Sequence, residues 1–328
     1  MDQQCLTRLE NGIKPTLDYH KCPDYGCPVE APWPEAPSSN FTAGDGDARK
    51  ISVETVLVIG GAGFLGRHII YNLADSIPEL RTIRILDRQA LPSGFKVPSS
   101  ILGPKVSIEF VHGDIRDKRK VREAFHCVDA VIHVASIIAV GPSQDERYTY
   151  STNIRGTKNV LELLNEFSIH ILVYTSSALC TRTWDEVEDE SEQEWDRDQY
   201  DQKRLVFPVY GTSKIAAESL IRKACSKEGQ LRAICLRPSG IYGEGDYLYV
   251  PSMILAAKNN RGVMVKLGAG KRPKIQRIYA GNCAWAHVHA LRCLANATNL
   301  NQINGHAFHI ADGTPTMPNE EFSQPFLK

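Results

Sequence analysis

Short apolar runs that alternate with amphipathic stretches constrain the fold of this chain more than any other sequence feature. Between the runs, apolar residues recur at helical spacing, as in Leu65, Ile69 and Leu73. Apolar strands that alternate with helices form parallel sheets covered on both faces, so we predict an α/β fold with a Rossmann-type, doubly wound parallel sheet. The runs predicted as strands are Thr55–Ile59, Thr82–Leu86, Val106–Val111, Ala130–Val134, Ile169–Tyr174 and Leu231–Leu236.

The first predicted strand leads directly into a glycine-rich turn that opens a helix. Gly60 permits a tight turn, Gly63 lets the backbone approach a pyrophosphate, and Gly66 lets the helix pack closely on the strand. The helix N-terminus offers free N–H groups and a favourable dipole to phosphates. We therefore predict a bound dinucleotide, the alternative being a structural turn without a ligand. The expected contacts are Gly60, Gly61, Ala62, Gly63, Phe64, Leu65 and Gly66.

An acidic side chain ends the second predicted strand. The Asp87 carboxylate is expected to accept both ribose hydroxyls and to repel a 2′-phosphate, so NAD is favoured over NADP, although Arg88 partly offsets the repulsion. His133 is interpreted as a strand-end histidine satisfied by its neighbours rather than as a catalytic group. Residues after the third and fourth strands are expected to hold the adenine and to run alongside the cofactor; they are Asp114, Ile115, Val134, Ala135 and Ser136.

A tyrosine and a lysine four positions apart are the candidate catalytic pair. Tyr210 and Lys214 share one face of a predicted helix, where the lysine cation is expected to lower the pKa of the tyrosine, as a general base requires. The preceding strand ends in a pair of serines whose hydroxyls can hold a substrate oxygen, and we prefer Ser177 to Ser176 for this role. The predicted reaction is hydride transfer between an alcohol carbon and a nicotinamide.

The composition and the hydrophobic periodicity of the chain change on either side of the predicted sheet. Residues 1–50 carry six prolines and no sustained periodicity, and we predict that they form a disordered extension. The dinucleotide-binding domain is predicted over residues 51–237. After Pro238 the strand–helix rhythm becomes irregular, so residues 238–328 are predicted to form a smaller, C-terminal substrate-binding part.

Composition and charge exclude several classes of function. Lys plus Arg equals Asp plus Glu at 38 each, so no nucleic-acid partner is expected. No apolar stretch is long enough to span a bilayer and no signal peptide is evident, which predicts an intracellular, cytoplasmic protein. Nine scattered cysteines fit reduced thiols. His20, Cys22 and Cys27 lack a second ligand pair, so no metal site is predicted.

Four short motifs of the chain resemble those of the extended short-chain dehydrogenase/reductases. They are Gly60–Gly66, Tyr174–Ser177, Tyr210–Lys214 and Leu236–Pro238. Two longer stretches, Arg237–Gly245 and Ile278–His287, are similar to segments of the 3β-hydroxysteroid dehydrogenase/Δ5–Δ4 isomerases. Members of that family continue beyond the point that corresponds to Lys328, so we expect the substrate-binding part to be C-terminally incomplete.

The resemblance implies that NAD oxidises the 3β-hydroxyl of a steroid or sterol, and it leaves open a subsequent Δ5–Δ4 isomerisation. Motif by motif, it implies catalytic roles for Ser177, Tyr210 and Lys214. It also implies that Asn153 lies near the cofactor, the alternative being a polar residue that bends a helix. Pro238 would border the nicotinamide.

The resemblance leaves other questions open. A sterol-decarboxylating dehydrogenase and a nucleotide-sugar epimerase are alternatives on the same fold, and a catalytically inactive NAD-binding protein is the alternative without enzyme activity. A homodimer and an association with the endoplasmic reticulum or mitochondrial membrane are compatible with the family. The expected small-molecule partner is a steroid or sterol.

Overall fold

Nine strands form two sheets within the residues that the computed structural model describes, which are 50–95, 97, 106–140, 145–181, 205–226, 231–261, 274–298 and 300–326. The strands are β1 (Thr55–Ile59), β2 (Thr82–Asp87), β3 (Ser107–His112), β4 (Ala130–His133), β5 (Ile171–Thr175), β6 (Arg232–Pro238), β7 (Gly240–Tyr242), β8 (Arg277–Tyr279) and β9 (His306–Ile310). Apart from Lys50, the extension predicted over residues 1–50 lies outside the described residues.

Nine α-helices lie between or after the strands in the described residues. They are α1 (Phe64–Ser76), α2 (Lys118–Val121), α3 (Glu146–Tyr150), α4 (Thr157–Glu166), α5 (Pro208–Ser226), α6 (Tyr249–Asn259), α7 (Ala280–Ala295), α8 (Leu300–Ile303) and α9 (Asn319–Ser323). A π-helical stretch, Ser151–Gly156, joins α3 to α4. Within the described residues, no helix is long and apolar enough to cross a membrane.

The main sheet is parallel throughout and has the strand order β3-β2-β1-β4-β5-β6-β9. The predicted Rossmann-type sheet is therefore confirmed, and the bounds of its six predicted strands differ by at most two residues from those observed. β7 and β8 form a separate two-stranded parallel sheet.

Alternate residues of each central strand face two different apolar cores. Val56 and Val58 of β1 pack with residues of α1 and α7, whereas Leu57 and Ile59 pack on the opposite face with residues of α4 and α5. The central strands read as continuous apolar runs because both faces of the sheet are covered.

The main sheet extends beyond residue 237, where the predicted dinucleotide-binding domain ends. β9 pairs with β6 along its length, and α7 packs against α1 and the sheet. The periodicity of this segment is irregular because β9 is an edge strand: only Ala307 is buried among its residues. α7 and β9, which the prediction placed in the smaller part, therefore share the sheet and core of the dinucleotide-binding fold.

The strand order reverses between β1 and β4, and this switch point positions the site. In open parallel sheets, ligands bind in the crevice at the carboxyl ends of the strands where the order reverses. Gly60 follows β1, and Ala135 follows β4, where its N–H donates to the Ile59 carbonyl at 2.9 Å. The glycine turn and the loop after β4 therefore meet at the switch point.

Candidate active site

The glycine turn after β1 has a backbone that no larger residue could adopt without displacement. Gly60 has φ +87°, and a Cβ atom there would lie 2.6 Å from the Ala135 nitrogen. A Cβ atom at Gly66 would lie 2.3 Å from the Gly60 carbonyl oxygen. Gly63 precedes α1 and provides no side-chain cap, and the first turn of α1 carries no acidic residue. The N–H groups of the first turn of α1 have no partner within the helix, and a helix N-terminus that opens from such a turn fits the pyrophosphate of a dinucleotide.

Asp87 is held against this turn at the end of β2. One of its carboxylate oxygens accepts a hydrogen bond from the Ala62 N–H at 3.0 Å, and the other accepts one from the Gln89 N–H at 3.0 Å. These two bonds orient the carboxylate and leave lone pairs on both oxygens. The arrangement fits recognition of ribose hydroxyls.

Arg88 interacts with a tyrosine and with an aspartate that follows β3. Its guanidinium contacts the Tyr148 hydroxyl and lies 3.7 Å from the Asp114 carboxylate. Arg116 holds the same carboxylate with bonds of 2.7 and 3.0 Å. The Asp114 carboxylate is therefore bound by two arginine side chains. Ile115 is buried beside it, in the core on the α4 face.

Tyr210 lies near the start of α5 and is 5% exposed. Its hydroxyl interacts with the side chains of Ser177 and Ser136. Burial raises the pKa of Tyr210 to about 12, and the interaction with Ser177 acts in the opposite direction. The Ser177 hydroxyl also accepts from the Leu179 N–H at 3.1 Å, which fixes its orientation. The contact between Ser136 and Tyr210 was not anticipated, since Ser136 was assigned only to the cofactor.

Lys214 is one helical turn further along α5 and is 1% exposed. Its Nζ donates to the Thr175 carbonyl at 2.6 Å and lies 4.5 Å from the centre of the Tyr174 ring. Burial lowers its pKa to about 8. The sequence argument expected the lysine to lower the pKa of Tyr210. That expectation is wrong for this structure, because burial dominates the pKa of the phenol.

Asn153 lies in the π-helical stretch, and its amide is fully engaged. Its Oδ1 accepts from the Ile137 N–H at 2.7 Å, and its Nδ2 donates to the Ile137 carbonyl and the Ser213 hydroxyl, both at 2.9 Å. Asn153 therefore joins the loop after β4 to α5. Asn153 thus lies in a distorted helix, and its position near the cofactor stays a prediction.

The buried ion pair between Glu218 and Arg237 was not predicted. Glu218 accepts from the Ser176 hydroxyl at 2.8 Å and from Arg237 Nε at 3.1 Å, and both charged residues are at most 5% exposed. Glu218 lies four residues after Lys214 on α5, so the two side chains share one face of the helix. This spacing is the sequence signal that could have identified Glu218. Because Ser176 is bound to Glu218, Ser177 is the serine free to face the site.

The remaining predicted residues lie around the same edge. Pro238 ends β6, and its register partner is Ile310. Val134 and Ala135 donate through their N–H groups to the Ile59 carbonyl. His133 Nε2 lies 3.1 Å from the Thr157 hydroxyl, as expected for a strand-end histidine held by neighbours, and burial lowers its pKa to about 3. No cluster of three or more metal-ligating residues occurs in the described part of the chain.

Sequence comparison relates the chain to steroid and sterol enzymes. The model of the 3-beta hydroxysteroid dehydrogenase/isomerase family matches residues 57–328. A decarboxylating sterol-4-alpha-carboxylate 3-dehydrogenase of Candida albicans is 32% identical over 268 residues, which are 81% of this chain and 72% of the relative. A 3 beta-hydroxysteroid dehydrogenase/Delta 5→4-isomerase of vaccinia virus is 32% identical over 283 residues, which are 83% of this chain and 75% of the relative.

Structural comparison finds the same fold in nucleotide-sugar enzymes. The dTDP-glucose 4,6-dehydratase of Bacillus anthracis, in complex with NAD, has a TM-score of 0.60 and 19% identity, covering 83% of this chain and 79% of that one. The UDP-glucose 4-epimerase of Thermotoga maritima, with UDP-glucose, has a TM-score of 0.61 and 21% identity, covering 84% and 81%. At these identities the likeness establishes the fold alone.

Proposed function

The chain belongs to the 3-beta hydroxysteroid dehydrogenase/isomerase family, and on that premise we propose that it oxidises the 3β-hydroxyl of a steroid or sterol with NAD as the acceptor. One observation carries the proposal. The Tyr210 hydroxyl interacts with the side chains of Ser177 and Ser136, and Lys214 Nζ, one helical turn further on, is bound to the Thr175 carbonyl at the end of β5. These groups lie at the carboxyl edge of the sheet, beside the glycine turn.

The residues at the switch point fit NAD. The backbone of the glycine turn would hold its pyrophosphate, and Asp87 would accept its ribose hydroxyls. When bound, NAD supplies the acceptor for the hydride that leaves the alcohol carbon. The remaining chemistry belongs to the protein, which positions the alcohol and removes the proton of its hydroxyl.

Each catalytic side chain has one task in the proposed reaction. Ser177 holds the substrate oxygen by a hydrogen bond. Tyr210 takes the hydroxyl proton as the carbon–hydrogen bond breaks, so that the alcohol becomes a ketone. Lys214 is assigned the cation that offsets the negative charge developing on the phenol oxygen during the transfer. Burial favours the neutral phenol and lowers the pKa of Lys214 to about 8, so oxidation is expected to accelerate as pH rises towards 8 and to level off above it, where Lys214 loses its proton.

The identity of the relatives favours a second candidate substrate. The Candida albicans relative is a decarboxylating sterol-4-alpha-carboxylate 3-dehydrogenase, as is one of Saccharomyces cerevisiae that is 30% identical over 267 residues. On a 4-carboxylated sterol, the same oxidation yields a 3-keto acid. The bond between C4 and the carboxylate carbon then breaks, carbon dioxide leaves and C4 takes up a proton.

A substrate panel distinguishes the candidates. NADH absorbance is measured with 3β-hydroxysteroids that lack a 4-carboxylate and with 4α-carboxysterols, and released carbon dioxide is collected. NADH formation without carbon dioxide supports the hydroxysteroid, and formation of both supports the carboxysterol. Turnover of UDP-glucose but of no sterol would overturn the assignment, and NAD binding without any turnover would favour an inactive protein.

Tyr210→Phe tests the catalytic assignment. Loss of the proton acceptor is expected to lower kcat by roughly 1,000-fold or more, with little change in NAD binding. Tyr71→Phe is the matched control, because the Tyr71 ring packs on Phe95 and has no role in the proposed chemistry, and it should retain the parent rate. A parent rate in Tyr210→Phe would remove Tyr210 from the mechanism.

The same proposal includes features that the family resemblance implies. They are a substrate-binding role for residues after 238, a Δ5–Δ4 isomerisation of the 3-keto product, a homodimer, and association with the endoplasmic reticulum or mitochondrial membrane. Product analysis for the conjugated ketone, sedimentation analysis and vesicle binding test the last three in turn.

A further inference from the structure

We infer that His287 is a positioning residue for the dehydrogenase centre, acting through Thr175 on Lys214; the inference rests on the proposed function. His287 ends the stretch Ile278–His287 and lies on α7, on the opposite face of the sheet from α5. Two groups of the buried Thr175 connect it to Lys214, the side-chain hydroxyl and the main-chain carbonyl. The chain of contacts crosses the sheet at the end of β5.

The hydrogen bonds assign the tautomer of His287. Its Nδ1 lies 2.7 Å from the Cys283 carbonyl oxygen, which can only accept, so Nδ1 carries the hydrogen. The side chain is completely buried, and burial lowers its pKa to about 4, so the ring is neutral at pH 7. Nε2 therefore has a lone pair and accepts from the Thr175 hydroxyl at 2.8 Å.

Thr175 is held from both faces of the sheet. Its side chain is bound by His287 of α7, and its main-chain carbonyl accepts from Lys214 Nζ of α5 at 2.6 Å. The next residue, Ser176, donates through its N–H to the Leu236 carbonyl at 2.6 Å, and Ser177 follows. The end of β5 thus carries both the acceptor of Lys214 and the serine that binds the substrate oxygen.

The burial of Lys214 explains why the contact between His287 and Thr175 should affect the rate of oxidation. Lys214 is 1% exposed, so water is not available to replace the Thr175 carbonyl if the strand end moves. A displacement of about 1 Å in a catalytic geometry lowers the rate by roughly 100-fold. His287 does not contact the reacting atoms on this account; it fixes the strand end on which two catalytic groups depend.

A first experiment tests the contacts without any turnover. In protein labelled with ¹⁵N-histidine, NMR should show His287 with hydrogen on Nδ1 and a hydrogen-bonded lone pair on Nε2. Thr175→Val, which removes only the hydroxyl, should move the Nε2 resonance of His287. His289→Gln, on the same helix but exposed and stacked on Trp285, should leave it in place. Hydrogen on Nε2, or an unmoved resonance in Thr175→Val, overturns the inference.

A second experiment follows Lys214 itself. With ¹³C-labelled lysine, the titration midpoint of Lys214 should fall in His287→Leu and in Thr175→Val, because a loosened carbonyl stabilises the ammonium less. The other titratable groups that interact with Lys214 are unchanged in both variants: Tyr174, Cys180, Cys235, Glu218 and His133. The midpoint should keep its parent value in His289→Gln. An unchanged midpoint in both test variants contradicts the connection to Lys214.

Kinetics complete the test. His287→Leu and Thr175→Val should each lower kcat by roughly 10- to 100-fold while the KM for the steroid changes little. The double variant should be no slower than either single variant, and Thr175→Ser should recover the parent rate because it keeps the hydroxyl. Additive losses, or losses confined to KM, overturn the inference. A parent chain that oxidises no hydroxysteroid refutes the proposed function, while the two NMR experiments still decide the inference.

Discussion

At the scale of single residues, two glycines have the same left-handed backbone but different surroundings. Comparing them distinguishes the effect of backbone conformation from the effect of close packing. Gly60 has φ +87° and Gly94 has φ +84°. A Cβ atom at Gly60 would meet the Ala135 backbone, whereas a Cβ atom at Gly94 would meet nothing within 4 Å. The two positions therefore differ in surroundings and share a backbone conformation.

Alanine at these two positions should have unequal effects. Gly94→Ala is expected to lower the free energy of unfolding by about 1–2 kcal/mol, the steric penalty of a left-handed residue. Gly60→Ala should lower it by at least about 2 kcal/mol more, because the Ala135 backbone must also move. Urea unfolding at pH 7 measures both. Equal losses would contradict the close approach of the two loops.

Asp87 is the second residue whose surroundings predict a measurable effect. Asp87→Ala should raise the KM for NAD by roughly tenfold or more and narrow the gap between NAD and NADP, since the carboxylate that accepts ribose hydroxyls and repels a 2′-phosphate is lost. Steady-state kinetics with each cofactor measure the gap. Asp75→Ala, exposed on α1, serves as the control. An unchanged gap in Asp87→Ala would mean that another group sets the preference.

At the scale of elements, α5 carries three buried polar or ionisable residues at intervals of four. Tyr210 and Lys214 belong to the proposed site, and Glu218 binds Ser176 and Arg237. The spacing of the first two identified the helix face from the sequence. Glu218 was missed, because a glutamate on an amphipathic helix is ordinarily exposed and only the neighbouring strands bury this one.

The buried pair on α5 should contribute far more to stability than an exposed pair. Glu218→Gln is expected to lower the free energy of unfolding by about 3 kcal/mol or more, because the Arg237 cation stays buried without that carboxylate. Glu162→Gln, which removes a partner 2.9 Å from Lys118 on the exposed face of α4, should lower it by less than about 1 kcal/mol. Similar losses from both substitutions would show that burial of the pair has no such effect.

At the scale of the whole molecule, the core contains histidines that must stay neutral. Burial lowers the pKa of His133 to about 3 and of His287 to about 4, and it also lowers the pKa of His68. The unfolded chain therefore binds more protons than the folded chain below the ordinary histidine pKa of 6.5. Stability is fully present above that pKa and is lost as pH falls towards 4.

Acidification from pH 7 to pH 5 should therefore lower the free energy of unfolding. His133 and His287 are each expected to contribute about 2 kcal/mol to the loss, since both stay neutral in the fold at pH 5 while their unfolded forms become protonated. Urea unfolding at the two pH values measures the loss. His287→Leu should reduce it by about 2 kcal/mol, and an identical loss in that variant would contradict the buried neutral state.

The sequence by itself determined the features that depend on local requirements. Strand–helix alternation predicted six strands of the main sheet, because a strand that is buried on both faces consists almost entirely of apolar residues. The glycine turn was recognisable because only glycine permits its backbone at Gly60, and the spacing of Tyr210 and Lys214 follows from helix geometry.

Only the tertiary structure decided which distant groups meet, and at what pKa. His287 binds Thr175 across 112 residues of chain, and β9 joins β6 although its sequence resembles an irregular segment. The pKa of Tyr210 is raised where the local pattern predicted a decrease. The reason is physical: burial and long-range pairing depend on how helices pack on both faces of the sheet, and the residues close in sequence do not encode that packing.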